Sequence, residues 1–210
     1  MRVVIFGPPG SGKGTYASRL TQKLGVPHIS TGDLVREEIR NNTPLGKTVE
    51  KYSNSGALVP DDLITEILKN SISAEVSKGF ILEGYPRTVN QAKALERITK
   101  LDAVVNLGVP DDVIVARLSA RLQCRACGAI YNERTLKPKI SGKCDKCGGE
   151  LYRRVDDQPE VVRERLKVYR EASEPVVEFY RAKSILKNIR NDDANADPNS
   201  VVQQILEAIS

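Results

Sequence analysis

Apolar residues along the chain follow two alternating rhythms. Short runs rich in β-branched residues recur at Val3 to Phe6, Pro27 to Ser30, Gly79 to Leu82, Ala103 to Leu107 and Ile185 to Ile189, and these predict strands. Between most of them apolar residues return every three or four positions, over Gly14 to Leu24, Asp62 to Ser77, Thr88 to Thr99, Asp111 to Leu122, Gln158 to Ala182 and Ser200 to Ile209. That period predicts helices. Strand alternating with helix builds a parallel sheet with helices on both faces, so the expected fold is α/β around a five-stranded parallel sheet.

Two segments break the rhythm. Between Ser30 and Pro60, helical pieces interrupted at Asn41-Asn42-Thr43-Pro44 and Ser53-Asn54-Ser55-Gly56 stand where a single crossover helix would be expected. Gln123 to Asp157 carries all four cysteines, turn-forming glycines and few helix formers, and reads as an inserted module. The expected organisation is one core, residues 1–29, 60–122 and 158–210, carrying a helical insertion at 30–59 and a cysteine-bearing module at 123–157. There are no internal repeats and no low-complexity tract.

Composition narrows the chemistry. With 210 residues, 40 % hydrophobic and 28 % charged, the chain reads as soluble and globular, and no apolar run approaches the ~20 residues of a membrane span. Met1 leads into Val3-Val4-Ile5-Phe6 and is broken at once by Gly7-Pro8-Pro9-Gly10, too short for a signal-peptide core, so the cytoplasm is the expected location. A net charge of +5 suits a nucleic-acid partner or an anion-binding enzyme equally. His28 is the lone histidine, expected to pack in its strand. It leaves no Ser-His-Asp, Cys-His or multi-histidine metal chemistry, so catalysis must come from charge and positioning.

Gly7-Pro8-Pro9-Gly10-Ser11-Gly12-Lys13-Gly14-Thr15 follows the first strand and opens the first helix. Its glycines let backbone N–H groups face an anion, the helix N-terminus adds positive potential, and Lys13 reaches the outer phosphates: this is a P-loop. Gly14 stands where Ser or Thr would touch Mg²⁺, with Thr15 one place later, which points away from GTPases and motor ATPases. The cysteines read Cys124-x-x-Cys127 and, after sixteen intervening residues, Cys144-x-x-Cys147. Paired knuckles at this spacing are a zinc signature, and four thiolates leave no open position for substrate water, so the site is structural. Disulfides are the alternative, disfavoured in a reducing cytosol. Zinc ribbons also bind nucleic acid, but this one lacks a basic run interleaved with aromatics, having only Tyr131 and Tyr152.

Gly-Ser-Gly-Lys-Gly-Thr resembles the P-loop of the adenylate kinase family. Ser30-Thr31-Gly32-Asp33-Leu34-Val35-Arg36, Gly56-Ala57-Leu58-Val59-Pro60-Asp61 and Gly84-Tyr85-Pro86-Arg87 resemble that family's successive AMP-site motifs. Asp156-Asp157-Gln158 with Arg163 and Arg165 resembles the end of its lid. The matches run in family order to about Tyr180. The resemblance implies that Gly10, Ser11, Gly12, Lys13, Gly14, Thr15, Arg117 and Arg121 bind ATP, with Arg117 stacking on adenine. It places AMP against Thr31, Arg36, Leu58, Val59, Gly84, Arg87, Gln91, Arg154 and Arg165. Lys13, Arg87, Arg121, Arg154 and Arg165 would act on the transferring phosphoryl group, with Asp156 and Asp157 orienting the arginines. Arg117 and Arg121, four apart, are expected on one helix face.

Residue by residue, other readings stand beside these. Ser30-x-x-Asp33 and Thr88-x-x-Gln91 both fit helix capping boxes, so Gln91 serves either as a cap or as a reader of the adenine edge. Arginines on a solvated helix face need no ligand, but Arg87 directly after Gly-Tyr-Pro sits where α/β sheets bind ligands, and its fork suits phosphate. The sequence departs from the family at Glu83, where many members have Asp, and at Asn191-Asp192-Asp193-Ala194-Asn195, where a short glycine-containing turn usually covers the ATP adenine. The reaction implied is ATP + AMP ⇌ 2 ADP with Mg²⁺, by a monomer with a structural Zn²⁺ and no nucleic-acid or membrane partner. A kinase for another nucleoside monophosphate and a nucleic-acid-dependent P-loop ATPase are the rival readings.

Overall fold

A computed structural model describes residues 1–72, 78–193 and 196–210. Five strands, β1 (Arg2–Phe6), β2 (His28–Ser30), β3 (Phe80–Glu83), β4 (Ala103–Gly108) and β8 (Leu186–Arg190), form the expected parallel sheet in the order β2-β3-β1-β4-β8. Every pairing in it is parallel. Successive side chains of a strand point to opposite faces, and two cores result. Val4, Phe6, Phe80, Leu82 and Val104 face one side, against helices α4 (Asp61–Ile72), α5 (Val89–Ile98) and α7 (Pro159–Arg181). Val3, Ile5, Ile81, Ala103 and Val105 face the other, against α1 (Lys13–Leu24) and α8 (Pro198–Ile209). Because both faces are covered, these strands read as apolar runs rather than alternating ones.

The segment after β2 holds α2 (Thr31–Arg40) and α3 (Pro44–Ser55). The first expected break is present: Asn42 takes φ 53°, and Thr43 caps α3 by accepting from the Gly46 amide at 2.8 Å. The second narrows to one residue. α3 continues through Ser53-Asn54-Ser55 and ends at Gly56 in the left-handed region, φ 78°. The helix expected over Asp62 to Ser77 is described to Ile72, and residues 73–77 lie outside the described residues.

One element differs from expectation in kind. The helix predicted to Leu122 is α6 (Asp111–Ser119), and Arg121–Cys124 is a strand, β5. Leu122 pairs with Tyr131 of β6 (Ile130–Asn132), and Cys124 with Leu151 of β7 (Leu151–Tyr152), both antiparallel. The helical period ran on through Ala-Arg-Leu-Gln, but tertiary pairing with two strands outweighs a propensity of tenths of a kcal/mol per residue. Arg117 and Arg121 therefore sit on different elements rather than on one helix face.

Candidate active site

The loops that leave β1 and β3 and the turn from β2 into α2 all emerge at the sheet's carboxyl end, where open α/β sheets bind ligands. They floor a cleft of about 900 Å³, within the range of ligand sites. The phosphate loop forms one wall. Gly10 and Gly12 take φ 78° and 95°, and a Cβ on Gly12 would lie 2.7 Å from the Tyr16 ring, so only glycine turns the chain here. Lys13 folds back onto the loop, its Nζ donating to the carbonyls of Gly7 at 2.9 Å and Pro8 at 2.7 Å.

Facing it are guanidiniums held by carboxylates. Arg121 grips Asp157 through Nε at 2.7 Å and through Nη2, and Arg154 grips Asp156 through Nε at 2.8 Å and through Nη2. Such forks fix orientation as well as charge. Arg165, from α7, reaches the Asp156 carboxylate and its backbone carbonyl, each at 2.9 Å. Arg87 donates from Nε to the Gly84 carbonyl at 2.8 Å, and Arg36 pairs with Asp33 at 2.6 Å. Six cations (Lys13, Arg36, Arg87, Arg121, Arg154, Arg165) thus converge with four carboxylates (Asp33, Glu83, Asp156, Asp157), an excess of positive charge that an anion must complete.

The ionisation of these groups records that strain. Burial pulls the Lys13 ammonium from 10.5 down to about 7, with Arg87, Arg165 and Arg121 adding to it against the opposing Glu83. Burial likewise lowers Arg165 to about 9, and the neighbouring Arg154 and Arg121 add to that while Asp156 opposes it. Burial alone would raise Asp156, but Arg154 and Arg165 hold its carboxyl well below the usual range. A consequence follows for Lys13. A polyphosphate beside it restores the charged form, so above pH 7 the complex binds more protons than the free protein, and affinity must fall as pH rises. Calorimetry at pH 8 in two buffers of different ionisation enthalpy should show uptake of up to about one proton per ATP bound, absent in Lys13→Met. Equal proton release by both proteins would contradict this.

The structure gathers most of the expected residues at one cleft: Gly10, Gly12, Lys13, Gly14, Thr15, Arg36, Leu58, Gly84, Arg87, Arg117, Arg121, Arg154 and Arg165 line it. Ser11, within the loop, is buried. Thr31, Val59 and Gln91 lie off the lining. Thr31 Oγ1 donates to the Glu83 carbonyl at 3.2 Å. The Gln91 backbone completes the Thr88 cap at 3.1 Å, while its side chain is already engaged, Oε1 accepting from the Arg87 amide and Nε2 donating to Asp61 Oδ1, both at 2.7 Å. Gln91 can read a base only by exchanging those bonds.

Sequence reasoning missed the part played by four residues. His28 does more than pack: its Nε2 stands 3.9 Å from Glu83 Oε2, beside the cleft. Gln123 joins the cysteine module to the helical insertion, its Nε2 donating to Asp33 Oδ1 at 3.3 Å. Tyr16 and Asn191 meet at the far end of the phosphate loop. Tyr16, the residue directly after the P-loop motif, and Asn191, first of the segment that lacks the expected glycine turn, each carried only a positional hint.

The donor sets also fit the two metals the sequence implies. Glu83 accepts from Ser30 Oγ at 2.9 Å through Oε1, while buried Oε2 has no hydrogen-bond partner. A Cβ on Gly14 would lie 3.5 Å from both carboxylate oxygens, so the longer Glu83 reaches the bare edge where other P-loops place a hydroxyl. An unpartnered carboxylate oxygen there suits the hydration shell of a hard cation such as Mg²⁺. In the module, the four sulfurs of Cys124, Cys127, Cys144 and Cys147 lie within 4.8 Å of one another. The closest pairs are at 3.5 Å, far beyond a disulfide's ~2.05 Å and near the ~3.8 Å edge of a zinc–thiolate tetrahedron. Gly128 and Gly148, at φ 71° and 72°, close two matching knuckles by donating to the Cys124 and Cys144 carbonyls at 3.0 and 2.8 Å. Tyr131 Oη, 3.5 Å from Cys144 Sγ, is the main influence that draws that thiol down to about 6, toward the thiolate a metal requires.

Comparison with known proteins agrees. A family model described as adenylate kinase matches residues 5–185. Curated proteins of the same description from Thermosipho melanesiensis, Thermosipho africanus and Archaeoglobus fulgidus are 51 %, 48 % and 45 % identical. Each alignment covers 100 % of this chain and 99 % of the relative.

Proposed function

The chain belongs to the adenylate kinase family of phosphotransferases, and on that premise we propose that it transfers the γ-phosphoryl group of Mg-ATP to AMP, giving two ADP. The observation that carries this reading is the cleft itself, lined together by the phosphate loop, Arg36 and Arg87. Arg121, Arg154 and Arg165 stand with them, preset by Asp156 and Asp157.

In this reading Gly10 to Thr15 hold the ATP phosphates through backbone amides and Lys13, and Arg117 takes the base. Arg36 and Arg87 fork onto the AMP phosphate, with Thr31, Leu58, Val59, Gly84 and Gln91 around its base and sugar. Lys13, Arg87, Arg121, Arg154 and Arg165 neutralise charge as it spreads over the transferring group, the term that dominates phosphoryl transfer. No general base is needed where the AMP phosphate already carries its charge. Mg²⁺, held through water by Glu83 with Thr15 nearby, would shield the ATP phosphates from the incoming anion.

The division of labour follows the fold: a core of residues 1–29, 60–122 and 158–210, an AMP-binding insertion at 30–59 and a zinc-bearing lid at 123–157 that excludes water when closed. Among the described residues no helix is long and apolar enough to cross a membrane, and we assign the protein to purine-nucleotide homeostasis in the cytoplasm as a monomer. An acceptor panel tests the reading. With Mg-ATP and equal AMP, GMP, CMP, UMP or water alone, AMP should react at least ~100-fold faster than the others, since mispairing a site's buried polar groups costs at least ~3 kcal/mol. UMP or CMP reacting as fast as AMP would contradict it.

A further inference from the structure

At one end of the cleft two side chains outside every motif meet. Tyr16 lies on α1 with its ring beside Gly12 of the phosphate loop, and Asn191 follows β8, its amide donating to the Gly108 carbonyl at 2.9 Å. Both are buried, at 3 % and 5 % exposure. The partners of the Asn191 side chain set its orientation. With Oδ1 toward Tyr16 Oη at 2.8 Å and Arg117 Nη2 at 3.0 Å, and Nδ2 toward the Asp193 carbonyl at 3.1 Å, every group meets its complement. Arg117 Nη2 also donates to the Asp193 carbonyl at 2.7 Å. A chain of hydrogen bonds therefore runs from the residue that covers Gly12, through Asn191, to the Arg117 guanidinium at the cleft wall.

An arginine side chain has many rotamers and loses little more entropy once its planar fork is held. Here one edge of that plane is held by two oxygens, while Nη1 is buried without a hydrogen-bond partner. A buried donor left unpaired is costly until an acceptor arrives, and a purine ring nitrogen or a sugar oxygen is such an acceptor. A guanidinium fixed in this way also offers its face to a base.

We propose that Tyr16 and Asn191 are positioning residues for the nucleoside of the donor nucleotide, acting through Arg117 to tie base binding to the phosphate loop. The inference rests on the reading of this end of the cleft as the ATP site. Kinetics and equilibrium dialysis with ATP on the full chain test it, using Tyr16→Phe, which removes only the hydroxyl, and Asn191→Ala. Losing one such bond should raise KM and Kd for ATP about five- to tenfold while KM for AMP moves less than about twofold. On an Arg117→Ala background Tyr16→Phe should add less than about twofold, because the two act on one path.

Tyr16→Phe with unchanged ATP affinity and only a lowered melting temperature would overturn the proposal, as would an equal rise in both KM values or a full further rise without Arg117. Should the wild-type protein bind ATP but transfer nothing to AMP, the functional reading falls, while the dialysis arm still decides this one.

Discussion

Lys13→Met should lower kcat by about 10³-fold while weakening ATP binding less than about tenfold, the size expected when one preorganised cation is removed from a charge-developing site. The asymmetry follows from the free protein. Lys13 Nζ is already satisfied by the Gly7 and Pro8 carbonyls at 2.9 and 2.7 Å, so ground-state ATP gains only the difference between those bonds and the ones that replace them. The transition state gains more, because charge builds on the phosphoryl oxygens in a site where burial weakens solvent screening. An interaction that strengthens along the reaction appears in kcat rather than in affinity. Steady-state kinetics beside direct ATP binding on the same preparations check the split. A variant that loses ATP affinity but keeps its kcat would place the lysine in binding alone.

The second large effect belongs to the lid. Its buried cluster is Cys124, Tyr131, Cys144 and Leu151, backed by Leu122 and Ala129, so two of its four central members are metal-ligand candidates. Without metal this is too little apolar surface to order a three-stranded sheet, and metal binding becomes folding free energy. Replacing Cys144 and Cys147 with Ser should release about one zinc per chain and lower the melting temperature by on the order of 10 °C. Appreciable phosphoryl transfer should survive at low temperature, because the cations proposed to meet phosphate there are Arg154 of the module and Arg121 at its border, both lining the cleft. Wild-type protein without stoichiometric metal would refute the zinc assignment. Activity abolished in a variant that is folded and binds ATP would refute a purely structural role.

How far such features can be read from sequence depends on whether their signal is local. The P-loop, the five strand cores and the four cysteines are contiguous patterns whose chemistry travels with their spacing, and each stands where the sequence puts it. The end of α6 was hidden because Arg121 and Leu122 keep a helical period, and what overrules it is pairing with Asn132 and Tyr131. Gln91 fits either a cap or a base reader from local sequence, and the side-chain partner that engages it, Asp61, is thirty residues away. The Tyr16–Asn191 contact spans 175 positions, and no propensity or motif reports a contact of that range. Glu83 stood out as a misfit of one methylene. Its environment, with Ser30, His28 and the bare edge of Gly14 around it, shows what the extra length reaches.

One anion-completing cleft is proposed to pass a phosphoryl group between two nucleotides rather than to water. The most direct measurement is the phosphorus balance of the AMP arm of the acceptor panel, followed by ³¹P NMR on enzyme with Mg-ATP and equimolar AMP. ATP and AMP should disappear together, two ADP should appear for each pair consumed, and ADP alone should run back to equal ATP and AMP, with negligible orthophosphate in either direction. Orthophosphate rising in step with ATP loss while AMP stays constant would contradict it.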